Sequence, residues 1–167
     1  MTRIPIVNEA DEIIDYKERS ESTVHDIDRI AALWITDAEG RVLLAQRALT
    51  KRFDPGLWGP AVAGTVEEGE TYVTNILKEA SEEIGLSLTE SDLVVGPKMR
   101  TQDEIRNCFC QWFFHTLQSK PESLVIQEDE VAQIAWLDTD SLRRDVETDP
   151  SKFTPGTLAF IKDLLSV

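Results

Sequence analysis

The stretch from Gly64 to Leu86 constrains this chain more than any other part of it. Between Thr71 and Ile84, the residues Val73, Ile76, Leu77, Ala80 and Ile84 recur at a helical spacing that gathers them into one narrow apolar stripe. Thr71 is placed to cap the first turn and Gly85 to stop the last one. Such a helix must bury its stripe against a sheet. Along one edge of the stripe Glu79 and Glu83 are i, i+4 neighbours, and Glu82 lies one step further round. Three carboxylates therefore project together from the last two turns. Local physics opposes this: like charges at that spacing cost about 0.2–0.5 kcal/mol, and negative groups near a helix C-terminus oppose its dipole. Lys78 relieves only part of it. A solvated acidic face is one reading; a set of oxygens converging on a hard divalent cation is the other. The helix alone leaves both open.

The rest of the chain supplies the sheet. Ile4 to Val7 and Glu12 to Asp15 flank Asn8-Glu9-Ala10-Asp11, which predicts an N-terminal hairpin over about 1–16. Arg29 to Thr36 and Arg41 to Gln46 are joined by Asp37-Ala38-Glu39-Gly40, a hairpin signal in which Gly40 supplies a positive φ. After an irregular basic stretch, Arg47 to Arg52, and the turn Asp54-Pro55-Gly56, Leu57 to Ala63 reads as one short strand and Gly64 to Gly69 as an acidic loop. Leu93 to Thr101, Asn107 to Leu117 and Gln133 to Leu137 read as further strands. Ser141 to Arg144 reads as a short helix and Pro155 to Leu165 as a terminal one. No repeat or linker divides the chain, so a single domain over 1–167 is expected, of α/β or α+β class. Trp34, Trp58, Trp112 and Trp136 read as core residues rather than ligand platforms.

Charge narrows the partners. A net charge of −14 gives no general attraction for nucleic-acid polymers or anionic membranes. No apolar run reaches the roughly 20 residues that span a bilayer. The first ten residues lack a signal-peptide core, so a cytoplasmic protein is the expectation. Cys108 and Cys110, at i, i+2 in one strand, are read as unpaired thiols; with only His25 and His115 elsewhere, no zinc-type spacing recruits them.

Gly64, five residues, Glu70, seven residues, then Lys78-Glu79-Ala80-Ser81-Glu82-Glu83-Ile84-Gly85-Leu86 resembles the Nudix box, G-x5-E-x7-R-E-U-x-E-E-x-G-U with U aliphatic. Lys78 replaces the arginine, and Ala80 is a small example of U. The resemblance implies an α/β/α sandwich with a mixed sheet, with the box at 64–86, and a hydrolase that cleaves a diphosphate linkage with Mg²⁺, or Mn²⁺ in its place. It implies that Glu79, Glu82 and Glu83 bind the metal or serve as base, and that Glu70 supports the site or joins the ligands. The Ala63 carbonyl is implied as a backbone ligand. Lys78 takes the place of an arginine that orients a neighbouring glutamate, without its bidentate fork. Glu79 or Glu83 is implied as the general base, with Glu104, Glu128 and Glu130 as candidates from later loops. A homodimer is also implied, since Nudix proteins often dimerise.

The segment Gln46-Arg47-Ala48-Leu49-Thr50-Lys51-Arg52-Phe53-Asp54-Pro55-Gly56-Leu57-Trp58 is similar to one in isopentenyl-diphosphate isomerases, a branch of the same fold. That similarity implies that Arg47 and Lys51 grip a substrate diphosphate, with Lys17 near a third such cation. Solubilising surface charge is the alternative reading of these three. The isomerase chemistry does not carry over: its protonating cysteine would fall at Ala63 and a metal-binding histidine at Thr65. The sequence thus suggests a diphosphohydrolase acting on a nucleoside-diphosphate-type or related small substrate. An isomerase-like enzyme and a non-catalytic diphosphate-binding module are the alternatives.

Overall fold

The computed structural model describes residues 1–118 and 124–166. Strands β1 (Arg3–Val7) and β2 (Ile13–Glu18) form an antiparallel hairpin of their own. The strands that follow are β3 (Asp28–Asp37), β4 (Val42–Arg47), β5 (Trp58–Pro60), β6 (Val62–Thr65), β7 (Val94–Gln102), β8 (Asn107–Leu117) and β9 (Val131–Leu137). They form a mixed sheet ordered β5-β4-β3-β8-β7, with β6 also pairing β3 and β9 pairing β4. Among the described residues, the central β3–β8 pair is the one parallel pair of this sheet.

Alternation along β3 explains why helices cover both faces of the sheet. Ala31, Leu33 and Ile35 point to the side of helix α1 (Tyr72–Ile84), where they pack with Ile76, Ala80, Ile84 and Phe113. Ala32 and Trp34 point the other way, into a cluster closed by α2 (Thr139–Thr148) and α3 (Pro155–Leu165). There Trp112 stacks on Phe160 at 3.7 Å between ring centroids, and Trp34 meets Phe160 edge-on. The α+β sandwich with a mixed sheet is therefore as expected. Trp34 and Trp112 are core; Trp58 and Trp136 pack against it half-buried. Cys108 is buried, Cys110 is partly so, and both are free thiols.

Helix α1 begins and ends where the sequence indicates. The Thr71 hydroxyl accepts from the Thr74 amide, and Gly85 takes the left-handed conformation at φ 69°. Two expectations fail. Leu57 to Ala63 is not one strand: β5 pairs with β4, the chain changes partner at the buried Ala61, and β6 pairs with β3. Gly64 consequently lies inside β6 and not in the acidic loop. The short helix at Ser141 to Arg144 is longer than expected, because Asp138 accepts from the Ser141 amide and starts α2 earlier. Among the described residues no helix is long and apolar enough to cross a membrane.

Candidate active site

The helix that anchors the sheet also positions the carboxylates. Ile76, Ala80 and Ile84 are fully buried, and each isoleucine contributes about 1.5–3 kcal/mol by leaving water. That burial fixes the rotation of α1 and turns its next residues toward β6. Glu83 is carried to 8% exposure, Glu79 is half-buried, and Glu82 stays in solvent. The three glutamates thus differ in environment despite being close in sequence.

Gly64 explains how Glu79 reaches the sheet. A Cβ at position 64 would lie 2.4 Å from Glu79 Cγ and 2.7 Å from its carboxyl carbon, so only glycine lets the side chain lie against β6. Ala63 is the adjacent residue of the same strand, paired with Ala32 of β3.

Around Glu79 a second group of residues is fully engaged. Lys78 Nζ lies 2.7 Å from Glu70 Oε1, 3.4 Å from Glu79 Oε1 and 3.4 Å from Glu67. Glu70 Oε2 accepts from the Glu67 amide and from Asn75 Nδ2, each at 2.9 Å. Burial alone would raise the Glu70 pKa, but these donors, Lys78 first among them, hold it below the ordinary glutamate value. Lys78 is driven the opposite way by its carboxylates and stays protonated. As the structure stands, both Glu70 oxygens are in use as a structural brace.

Glu83 has no such compensation. Burial first, then the charges of Glu79 and Glu130, push its carboxyl up to about 8, against weaker opposition from the Ala63 backbone and Lys51. Glu79 is also raised, again chiefly by burial. The basic loop faces this pair. Arg47 donates from Nε to the Phe53 carbonyl at 3.0 Å and feels the charges of Asp54, Glu83 and Glu130. Lys51 is ion-paired with Glu130, whose backbone carbonyl also accepts from the Ala48 amide. Arg106, from the turn between β7 and β8, pairs with Asp54 of the same loop. Arg47, Lys51 and Glu83 are therefore brought together. Lys17 is not: it lies on β2, tied to Asp26 at 2.6 Å, and the charges around it are those of Asp26, Asp15 and Glu21. Glu104 and Glu128 are exposed.

An excess of buried negative charge suits a divalent cation, and a half-open donor set suits Mg²⁺, which keeps waters and takes only one or two carboxylates alongside substrate phosphates. Among the described residues no group of three or more acidic, histidine or cysteine side chains is placed to hold a metal ion on its own. Sequence reasoning missed Asn75 because a single asparagine inside an amphipathic stripe carries no periodic signal. It missed the Asp54–Arg106 pair because the partners are 52 residues apart.

A half-open carboxylate cluster at the end of a helix, set on a mixed sheet beside a basic loop, is the arrangement of a Nudix domain. Residues 26–156 match the Nudix domain family, and the chain belongs to it. Among curated proteins it is similar to isopentenyl-diphosphate Delta-isomerases. The Escherichia coli O127:H6 enzyme is 29% identical over 126 residues, covering 73% of this chain and 68% of that one. The Kocuria rhizophila enzyme is 32% identical over 125 residues, covering 72% and 68%. Among solved structures, the DR0079 protein of Deinococcus radiodurans superposes with a TM-score of 0.76 at 18% identity, over 96% of this chain and 98% of that one. A MutT protein from Methanosarcina mazei gives 0.66 at 14% identity, over 84% and 94%. An Ap4A hydrolase of C. elegans gives 0.58 at 16%, over 84% and 98%. These structures share the fold.

Proposed function

We propose that this protein is a Mg²⁺-dependent Nudix hydrolase that cleaves the diphosphate linkage of a small phosphorylated compound. The observation that carries the reading is Glu83: a buried carboxylate beside Glu79, only weakly opposed by Lys51 and Arg47, on the helix of a nearly complete Nudix box. Glu79, Glu83 and the more exposed Glu82 supply carboxylate oxygens, with the Ala63 carbonyl beside them. Bound there, Mg²⁺ would neutralise diphosphate oxygens and lower the pKa of a water. Arg47 and Lys51 bind the substrate phosphates, Lys51 exchanging Glu130 for them. Glu79 or Glu83 takes the proton of the attacking water on its carboxylate. Lys78 and Glu70 hold Glu79 in place and do not touch substrate.

The similarity to isomerases favours a second reading, an isomerase of a prenyl diphosphate. Against it stand Ala63 and Thr65, which offer no thiol and no imidazole where the resemblance would place them. The deciding experiment assays a panel of nucleoside diphosphate derivatives, nucleotide sugars, dinucleotides and isopentenyl diphosphate with Mg²⁺ and with EDTA. Mg²⁺-dependent cleavage of any member supports the hydrolase. Deuterium exchange into isopentenyl diphosphate without cleavage would favour the isomerase. No turnover of any compound by folded, metal-bound protein would leave a binding module.

A further inference from the structure

Asn75, in the first turn of α1, has no exposed surface at all. Its Nδ2 donates to the Thr65 carbonyl at 3.1 Å and to Glu70 Oε2 at 2.9 Å, and lies 3.5 Å from Glu79 Oε1. Its Oδ1 has no hydrogen-bond partner among the described residues. Turning the amide over would set that oxygen against a carbonyl and a carboxylate, so the acceptors fix its orientation. A buried amide with one orphaned end contributes little to folding: leaving the acceptor unmet works against the fold, and an apolar residue would avoid that loss. What the asparagine adds is its NH₂ end, which lies on the same carboxylates as Lys78.

The division of donors is specific. Asn75 holds Glu70 Oε2 while Lys78 holds Glu70 Oε1, and Lys78 Nζ lies 3.4 Å from Glu79 Oε1. We propose that Asn75 is a positioning residue which, by holding Glu70 and through it Lys78, keeps the ammonium on Glu79 Oε1 and so leaves Oε2 as the oxygen offered to a divalent cation. A guanidinium at position 78 would supply several donors in one planar fork; an ammonium is a single point of charge. Here the fork is split between an amide and an ammonium one helical turn apart. The inference rests on the metal site proposed above, and it explains how that site works with lysine in the box.

The test uses the whole chain and Mn²⁺ itself, which shares the all-oxygen preference of Mg²⁺, counted as free ion by electron paramagnetic resonance. Wild type, Glu79→Gln, Asn75→Leu, Asn75→Ala and Asn75→Ala/Lys78→Arg are titrated after circular dichroism has established that each is folded. Glu79→Gln is expected to lose tight binding. The two Asn75 variants are expected to bind about 10- to 100-fold more weakly, the usual effect of removing an outer-shell partner. Adding Lys78→Arg should recover most of that loss, which a merely structural role for Asn75 would not allow. Should neither apolar variant fold, Asn75→Ser carries the same expected loss. Folded Asn75 variants that bind Mn²⁺ like wild type, with Glu79→Gln impaired, would overturn the proposal and leave the metal site standing. A wild-type chain that binds no Mn²⁺ would remove the site, and the proposal with it.

Discussion

Asp11 and Glu83 are both nearly buried carboxylates, and they are treated oppositely. Asp11 sits at the turn of the N-terminal hairpin in a left-handed conformation, φ 59°, with its side chain 9% exposed. It accepts from Arg29 Nε at 2.7 Å, from the Tyr72 hydroxyl at 3.1 Å and from Lys98. Burial would raise its pKa, but Lys98, Arg29 and Tyr72 together bring it below the ordinary value. Glu83, more deeply buried, meets the carboxylates of Glu79 and Glu130, and burial first pushes it up to about 8. A buried acid with its own cations is a structural joint. One without a paired cation is where we propose that a divalent ion binds. In this molecule the joint ties the hairpin to β3, β7 and the first residue of α1, and the open charge lies near the other end of the same helix.

Several substitutions would break or sharpen that contrast. The largest effect is expected for Glu83→Gln, which should reduce turnover by about 10²- to 10⁴-fold in a steady-state assay while leaving the metal-free melting temperature unchanged or higher. Gly64→Ala, whose methyl would displace the Glu79 side chain, should reduce turnover about 10-fold or more with little loss of secondary structure by circular dichroism. Asp11→Asn should do the reverse of Glu83→Gln: about 2–3 kcal/mol lost in urea unfolding, since the charged acceptor shared by Arg29, Tyr72 and Lys98 is removed, with turnover per folded molecule nearly intact.

The two acids should also leave opposite marks on stability against pH in EDTA. Glu83 has a folded pKa above its unfolded one, so the native state holds the extra proton. Stability should therefore fall as pH rises from about 4.5 toward 8 and level off beyond it, and Glu83→Gln should flatten that slope. Asp11 has a folded pKa below its unfolded one. Its contribution should be full above about pH 4 and be lost as pH falls further, a loss absent from Asp11→Asn. The smallest effects separate the cations. Lys51→Ala should raise KM about 10-fold as one phosphate contact is lost, whereas Lys17→Ala, remote from that group, should leave KM unchanged.

Periodicity and capping made the sheet and helix α1 legible in the sequence. The stripe of Ile76, Ala80 and Ile84, the Thr71 cap and Gly85 all lie where they were read. The box motif singled out Glu79, Glu82, Glu83 and Glu70 as candidates. What the sequence did not disclose was how unequal these acids are. Which of them is buried depends on the exact rotation of α1 and on the space left by Gly64, and both are set by tertiary packing. The partner change at Ala61 was equally hidden, because a strand that switches neighbours reads like one that does not. Asp11 read only as a turn residue, since Arg29, Tyr72 and Lys98 reach it across as many as 87 residues of chain.

Calorimetric titration of Mg²⁺ into the metal-free protein near pH 7, repeated in buffers of different ionisation enthalpy, tests the central claim most directly. Glu83 should hold most of a proton at that pH and give it up as the cation binds. The account predicts binding with release approaching one proton, and a clear loss of both in Glu83→Gln. Mg²⁺ that binds Glu83→Gln as tightly as wild type, or binds wild type without releasing a proton, would contradict it.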